Sequence, residues 1–241
     1  MKYQVKVFDN IALLTQFFIQ TLDAKINENS GNSMFSWLLS GGVTPIQIFR
    51  KMSEYHGSIN WDRVMLFWGD ERCVGPAHAQ SNYRMAKEHL LPHISIPKKN
   101  IFRIRGEENP LAEANRYAEQ FKIKVFHENA LIPKVDIAFL GLGVDGHTAS
   151  IFPENIDIFD SKNFFLPVIQ PVTNQCRITA TGQIINNAKT VIIIAVGQSK
   201  ANTVAQVILE QSGWEQLPIS RVRPENGRLI WLLDKEAASR L

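Results

Sequence analysis

The run from Gly141 to Pro153 reads G-L-G-V-D-G-H-T-A-S-I-F-P, which sets a carboxylate, Asp145, two positions ahead of an imidazole, His147. An imidazole suits proton transfer near neutral pH, and a nearby carboxylate can orient it. Other stretches carry compatible groups. Asp70, Glu71 and Arg72 are consecutive. Ser40-Gly41-Gly42-Val43-Thr44-Pro45 joins hydroxyls to a glycine pair and a proline suited to a helix's first turn. Such a turn offers free backbone N–H groups and the positive end of a helix dipole to an anion. Arg177 lies in C-R-I-T-A, and Lys200 closes G-Q-S-K. Two cations and a helix N-terminus suggest a phosphate; the imidazole and carboxylates suggest acid–base chemistry.

Other chemistries find no pattern. The glycine turn is neither a Walker A sequence nor a G-x-G-x-x-G fingerprint, and a G-x-S-x-G nucleophile elbow is missing. His89 and His93 have helical metal-ligand spacing, but Pro92 between them should end the helix. Neither a metal nor a cofactor is predicted. The two cysteines, Cys73 and Cys176, are far apart, which points to reduced thiols and a cytoplasmic setting.

These groups need elements to position them. Val135 to Leu140 has the length and apolar character of a buried strand, so Asp145 and His147 should lie on a glycine-rich loop at its C-terminal end. Met34 to Leu39 predicts a strand before the Gly41-Gly42 turn, with Thr44 as N-cap of the next helix. Arg63 to Trp68 is a strand feeding the Asp70–Arg72 loop. Cys176 to Ala180 is a strand carrying Arg177, and Val191 to Val196 a central strand leading to Lys200. Ser81 is an expected N-cap, Asn109-Pro110 should start a helix, and Asp234 should cap a closing helix. Ligands bind at strand C-termini in open α/β sheets, and the candidate groups share that placement.

With 241 residues, a net charge of +3 and no basic block, the chain implies neither nucleic acid nor a membrane surface as partner. No window approaches ~18 uninterrupted apolar residues, and the start does not read as an export signal. Strands and helices alternate throughout without a linker. The prediction is α/β: a single three-layer domain over residues 1–241, with a mostly parallel Rossmann-like sheet and helices on both faces.

At these residues the chain resembles the glucosamine-6-phosphate isomerase/6-phosphogluconolactonase family. S-G-G-V-T-P, W-G-D-E-R-C-V with S-N-Y at Ser81 to Tyr83, and G-L-G-V-D-G-H-T-A-S-I-F-P look like its lactonase motifs. So do R-I-T, G-Q-S-K-A, L-P-I-S and W-L-L-D-K-E-A-A in the second half. The deaminase branch shares D-G-H, but there a segment like I-A-F-N-E-P-G follows the histidine and the earlier loop resembles M-D-E-Y. The T-A-S-I-F-P and G-D-E-R found here favour the lactonase; Val43 stands where many members have serine. The resemblance implies hydrolysis of 6-phospho-D-glucono-1,5-lactone, a phosphorylated sugar lactone, by a monomer or weak homo-oligomer. It implies His147 as general base, with Asp145 and Arg72 assisting. Substrate and phosphate would be held by Ser40, Gly41, Gly42, Thr44, Asp70, Glu71, Asn82, Arg177 and Lys200. The alternatives are a glucosamine-6-phosphate deaminase-like isomerase and a non-catalytic sugar-phosphate sensor.

Overall fold

The computed structural model describes residues 3–28, 33–52, 54, 59–125 and 131–241. Its elements in chain order are β1 (Tyr3–Phe8), α1 (Ile11–Glu28), β2 (Phe35–Leu39), α2 (Val43–Met52), β3 (Val64–Trp68), β4 (Asp70–Arg72), α3 (Asn82–His89) and β5 (Ile101–Phe102). There follow α4 (Pro110–Lys124), β6 (Ile137–Gly141), β7 (Phe165–Ile169), β8 (Cys176–Ala180), α5 (Gly182–Asn186), β9 (Thr190–Ala195), α6 (Ala201–Ile208) and β10 (Arg228–Asp234). Short 3-10 turns fill several connections.

Seven strands form one sheet in the order β1-β10-β9-β6-β2-β3-β5. Every pairing in it is parallel. Residues of β2, β3 and β9 are buried without alternation, as in strands covered on both faces. The predicted α/β class and parallel sheet are therefore present. Strands β9, β6, β2 and β3 are consecutive neighbours at the sheet's centre. Because they are parallel, their four C-terminal loops emerge on one edge although they lie far apart in sequence. A second sheet, β4-β8-β7, is antiparallel. Asp70–Arg72 is thus a strand rather than a loop, turned out of the main sheet after Gly69.

The strand ends are anchored on both sides. Phe18, Trp37, Phe49 and Phe139 pack ring against ring at 5.0 to 6.5 Å, tying α1, β2, α2 and β6 together. At the opposite end of these strands, the Asp136 carboxylate accepts from Ser36 N and Oγ at 2.7 Å and from Lys189 Nζ at 2.7 Å. This clamp fixes the register of β2 beside β6. Apolar packing supplies most of the stabilisation and polar pairing the alignment.

Some local expectations change. Helix α2 begins at Val43, so Thr44 lies inside the first turn and does not cap it. Gly42, at φ +110, lets the chain enter the helix earlier. Asp234 caps no closing helix: turns follow β10. Its carboxylate accepts instead from Gly197 N at 3.0 Å and Ala237 N at 2.8 Å, which fixes the turn leading to Lys200. The expected cap Ser81 does accept from Arg84 N, and Asn109, at the start of α4, caps that helix by accepting from Ala112 N. Asn109→Ala should lower stability by about 1 kcal/mol, read as a fall of ~2–4 °C in the thermal midpoint.

Candidate active site

The four loops enclose a cavity of about 430 Å³. Ser40, Gly41, Gly42, Thr44, Asp70, Arg72, Asn82, His147, Arg177 and Lys200 all line it. Asp145 and Glu71, also expected at the site, do not line it.

Asp145 stands behind the histidine. Its Oδ1 lies 2.6 Å from His147 Nδ1 and accepts from the His147 backbone N–H at 3.2 Å. Burial raises the Asp145 carboxyl, but the hydrogen bond and charge of His147 outweigh it and hold the group below its ordinary value. An ionised Asp145 accepts, so Nδ1 carries a hydrogen, and in the neutral imidazole the lone pair is then on Nε2. The loop is built for this contact. A Cβ on Gly143 would come within 2.1 Å of His147 Nδ1, and Gly146 is at φ +83 with its Cβ direction blocked by Leu217. Ala149 sits at φ 49, a strained position for a residue with a side chain, directly after the His147-Thr148 pair.

The sign of the Asp145 shift sets a pH dependence. A carboxylate depressed in the folded state contributes stability at neutral pH, and that contribution is lost as pH falls below about 4. Asp145→Asn should remove this acid-side loss. It should also lower turnover by roughly tenfold to a hundredfold, part of the ~10²–10⁴-fold that a positioned base supplies. Urea unfolding at pH 3 and 7, with activity at pH 7, checks both.

The cationic side comes from the small sheet. Arg72 and Arg177 are directly opposite in the β4–β8 ladder, so both side chains share one face. Arg72 Nη1 donates to the Gln80 carbonyl and Arg177 Nη1 to Ser150 Oγ at 3.4 Å. The Nε atoms of both are buried without a protein acceptor, leaving donors for an anionic ligand. Burial lowers the Arg177 pKa against the opposing pull of Asp70. Lys200 is likewise lowered by burial, with Asp145 opposing.

Asp70, 4 % exposed, accepts from Ser150 Oγ at 2.6 Å and from Asn82 Nδ2 at 3.2 Å. Asn82 in turn fills the space where a side chain on Gly41 would be, 1.8 Å from that glycine's Cβ direction, so the glycine turn and α3 fit together only without a Cβ. Glu71 points the other way. Its carboxylate accepts from Arg72 N, Asn82 N, Tyr83 N and Ser81 Oγ at 2.7 to 3.0 Å. It therefore holds the start of α3 against β4, behind Arg72 and away from the cavity lining. Alternation along β4 explains this, since Glu71 faces opposite to Asp70 and Arg72.

Two contributors were not singled out from the sequence. Ser150 bridges Asp70 and Arg177 from a position 0 % exposed. The Phe152 ring lies 4.9 Å from the His147 ring and 5.6 Å from the Arg177 guanidinium, and so supports both. Both residues fall inside the motif containing His147, which is the only signal the sequence offered for them.

A family model described as "Glucosamine-6-phosphate isomerases/6-phosphogluconolactonase" matches residues 9–231. The chain belongs to this family. A curated 6-phosphogluconolactonase of Haemophilus influenzae is 37% identical over 203 residues, covering 83% of this chain and 84% of that one. The solved 6-phosphogluconolactonase from Trypanosoma cruzi superposes with a TM-score of 0.86 at 27% identity, over 100% of this chain and 97% of that one. A monomeric glucosamine-6-phosphate deaminase superposes at 0.83 over 99% and 100% with 21% identity, a likeness of fold alone. Fold does not separate the family's two activities, so the loops must.

Proposed function

We propose that the chain hydrolyses 6-phospho-D-glucono-1,5-lactone to 6-phosphogluconate, the second step of the oxidative pentose phosphate pathway, in the cytoplasm. The observation that carries this reading is His147, backed by the Asp145 carboxylate, on the wall of a cavity shared with Arg72, Arg177 and Lys200. The 37% identity to a curated lactonase over most of both chains supports it. Among the described residues no helix is long and apolar enough to cross a membrane.

The lactone is an activated ester, so its hydrolysis needs a water aimed at the ring carbonyl and a base to take its proton. His147 Nε2 takes that proton as the oxygen–carbon bond forms. The carbonyl oxygen becomes an oxyanion, which Arg72 stabilises. The tetrahedral intermediate collapses, the ring C–O bond breaks, and the leaving oxygen takes the proton back from His147. Asp145 holds the ring in one tautomer and stabilises the imidazolium formed in between. The N–H groups and hydroxyls of Ser40 to Thr44, with Arg177 and Lys200, hold the phosphate. Asp70, Ser150 and Asn82 orient the cations and the glycine turn. Fixing the phosphate places the carbonyl beside His147, which converts binding into reactivity.

The test is a coupled assay. Glucose-6-phosphate dehydrogenase generates the lactone, 6-phosphogluconate dehydrogenase reports the acid, and spontaneous opening is subtracted. Product should form well above background, and glucosamine-6-phosphate should yield no ammonia. Ammonia release without lactone hydrolysis would move the chain to the deaminase branch.

A further inference from the structure

We propose that Cys73 and Cys176 are a redox site, oxidised to a reversible cross-strand disulfide that weakens substrate binding by disturbing Arg72 and Arg177; the binding clause rests on the lactonase reading. The two thiols, far apart in the sequence, are neighbours in space. The β4–β8 register pairs Asp70 with Thr179, Glu71 with Ile178 and Arg72 with Arg177, so the next pair in line is Cys73 with Cys176. Cys73 N donates to the Cys176 carbonyl at 2.9 Å, which continues the ladder to that pair. Residues opposed this way have Cα atoms about 5.5 Å apart, inside the ~4.4–6.8 Å span that disulfides bridge. The two sulfurs are 3.2 Å apart, both are free thiols, and neither is fully buried.

The chemistry balances with an oxidant of the peroxide or low-molecular-weight disulfide class. With glutathione disulfide, one protein thiolate displaces glutathione and forms a mixed disulfide. The second then attacks the protein sulfur, and a second glutathione leaves. Two protein S–H bonds are lost, one S–S bond forms, and two reduced glutathiones carry away the electrons and protons. Burial, with the adjacent Cys176 and Glu71, pushes the Cys73 thiol up to about 12. Both steps need thiolate, so the site answers to sustained oxidant and not to a brief exposure.

The coupling to function follows from strand geometry. Each cysteine is the immediate chain neighbour of a site arginine, Cys73 of Arg72 and Cys176 of Arg177. Closing the sulfurs from 3.2 Å to the bonded ~2.05 Å fixes the torsions of both cysteines and reshapes the strand step that carries the two arginines. A displacement near an ångström at positioning groups can cost up to ~10²-fold. We expect the oxidised protein to show about a tenfold rise in KM with a smaller change in kcat, because His147 lies on another loop.

The experiment incubates the full chain with glutathione disulfide and follows thiol titre, non-reducing gels and intact mass, then KM and kcat before and after dithiothreitol. The chain holds two cysteines, so loss of both thiols in a monomer, with loss of two hydrogens in mass, identifies the bond. Expected are closure in the wild type, reversal by dithiothreitol, the KM rise only in the closed form, and stable mixed disulfides in Cys73→Ser and Cys176→Ser, which keep wild-type basal KM. Thiols that stay titratable, glutathionylation without closure, or closure with KM unchanged would each overturn the proposal. Closure in a protein with no lactone hydrolysis at all would instead sink the functional reading and leave the thiol chemistry standing.

Discussion

His147→Ala should lower kcat by ~10²–10⁴-fold while KM changes little. The imidazole is one of the groups on the cavity wall, but it is the one with a free nitrogen and a carboxylate at 2.6 Å fixing its other nitrogen. The groups proposed to hold the phosphate lie on other elements: the turn before α2, the strand β8 and the turn before α6. Removing the imidazole therefore removes proton transfer and leaves the anion site in place. A base acting only in the transition state affects kcat and kcat/KM together. Steady-state kinetics of the variant, with spontaneous opening subtracted, measures this. His147→Gln should behave like the alanine variant, since an amide fills the space but takes no proton at neutral pH.

Glu71→Gln should destabilise the fold by about 3 kcal/mol, an expected fall of ~6–12 °C in the thermal midpoint. The substitution preserves size, so no cavity enters the account. Oε1 accepts from Arg72 N and Asn82 N, and Oε2 from Ser81 Oγ and Tyr83 N. On the Oε1 side the NH₂ group meets two backbone N–H donors; on the Oε2 side it can give one hydrogen to the Ser81 hydroxyl but still opposes the Tyr83 N–H. Burial raises the Glu71 carboxyl, and the three backbone N–H groups and Ser81 oppose that rise. The group is kept because it ties β4 to α3, which set Arg72 and Asn82 at the cavity. Circular dichroism melts should show the fall, and KM should rise in protein that remains folded. A wild-type melt for Glu71→Gln would mean that water replaces these bonds without cost.

What the sequence revealed depended on periodicity. The buried strands β2, β3, β6 and β9 were legible as apolar runs, and the glycines after them marked the loops, because strand burial and turn chemistry are local properties. The strand orders were not legible, since they depend on pairings between residues far apart in the chain, such as Trp37 with Ile137. The direction in which Glu71 faces was not legible for the same reason. Three adjacent charges look alike in a sequence, and only the pairing of β4 with β8 shows that alternate members face opposite ways. Ser150 and Phe152 were invisible as individuals because nothing about a serine or a phenylalanine announces Arg177 as a neighbour from a later strand. The cysteine pair is the extreme case: 103 residues separate Cys73 and Cys176, and the ladder brings their sulfurs to 3.2 Å.

The central claim is that this cavity opens a phosphorylated sugar lactone with His147 as the base. The most direct measurement follows the lactone itself by phosphorus NMR, with wild type, His147→Ala and buffer in parallel. The account predicts that the wild type converts the lactone signal to that of the open acid well before buffer does, and that the variant runs near the buffer rate. A wild type no faster than buffer, or a variant as fast as the wild type, would contradict it.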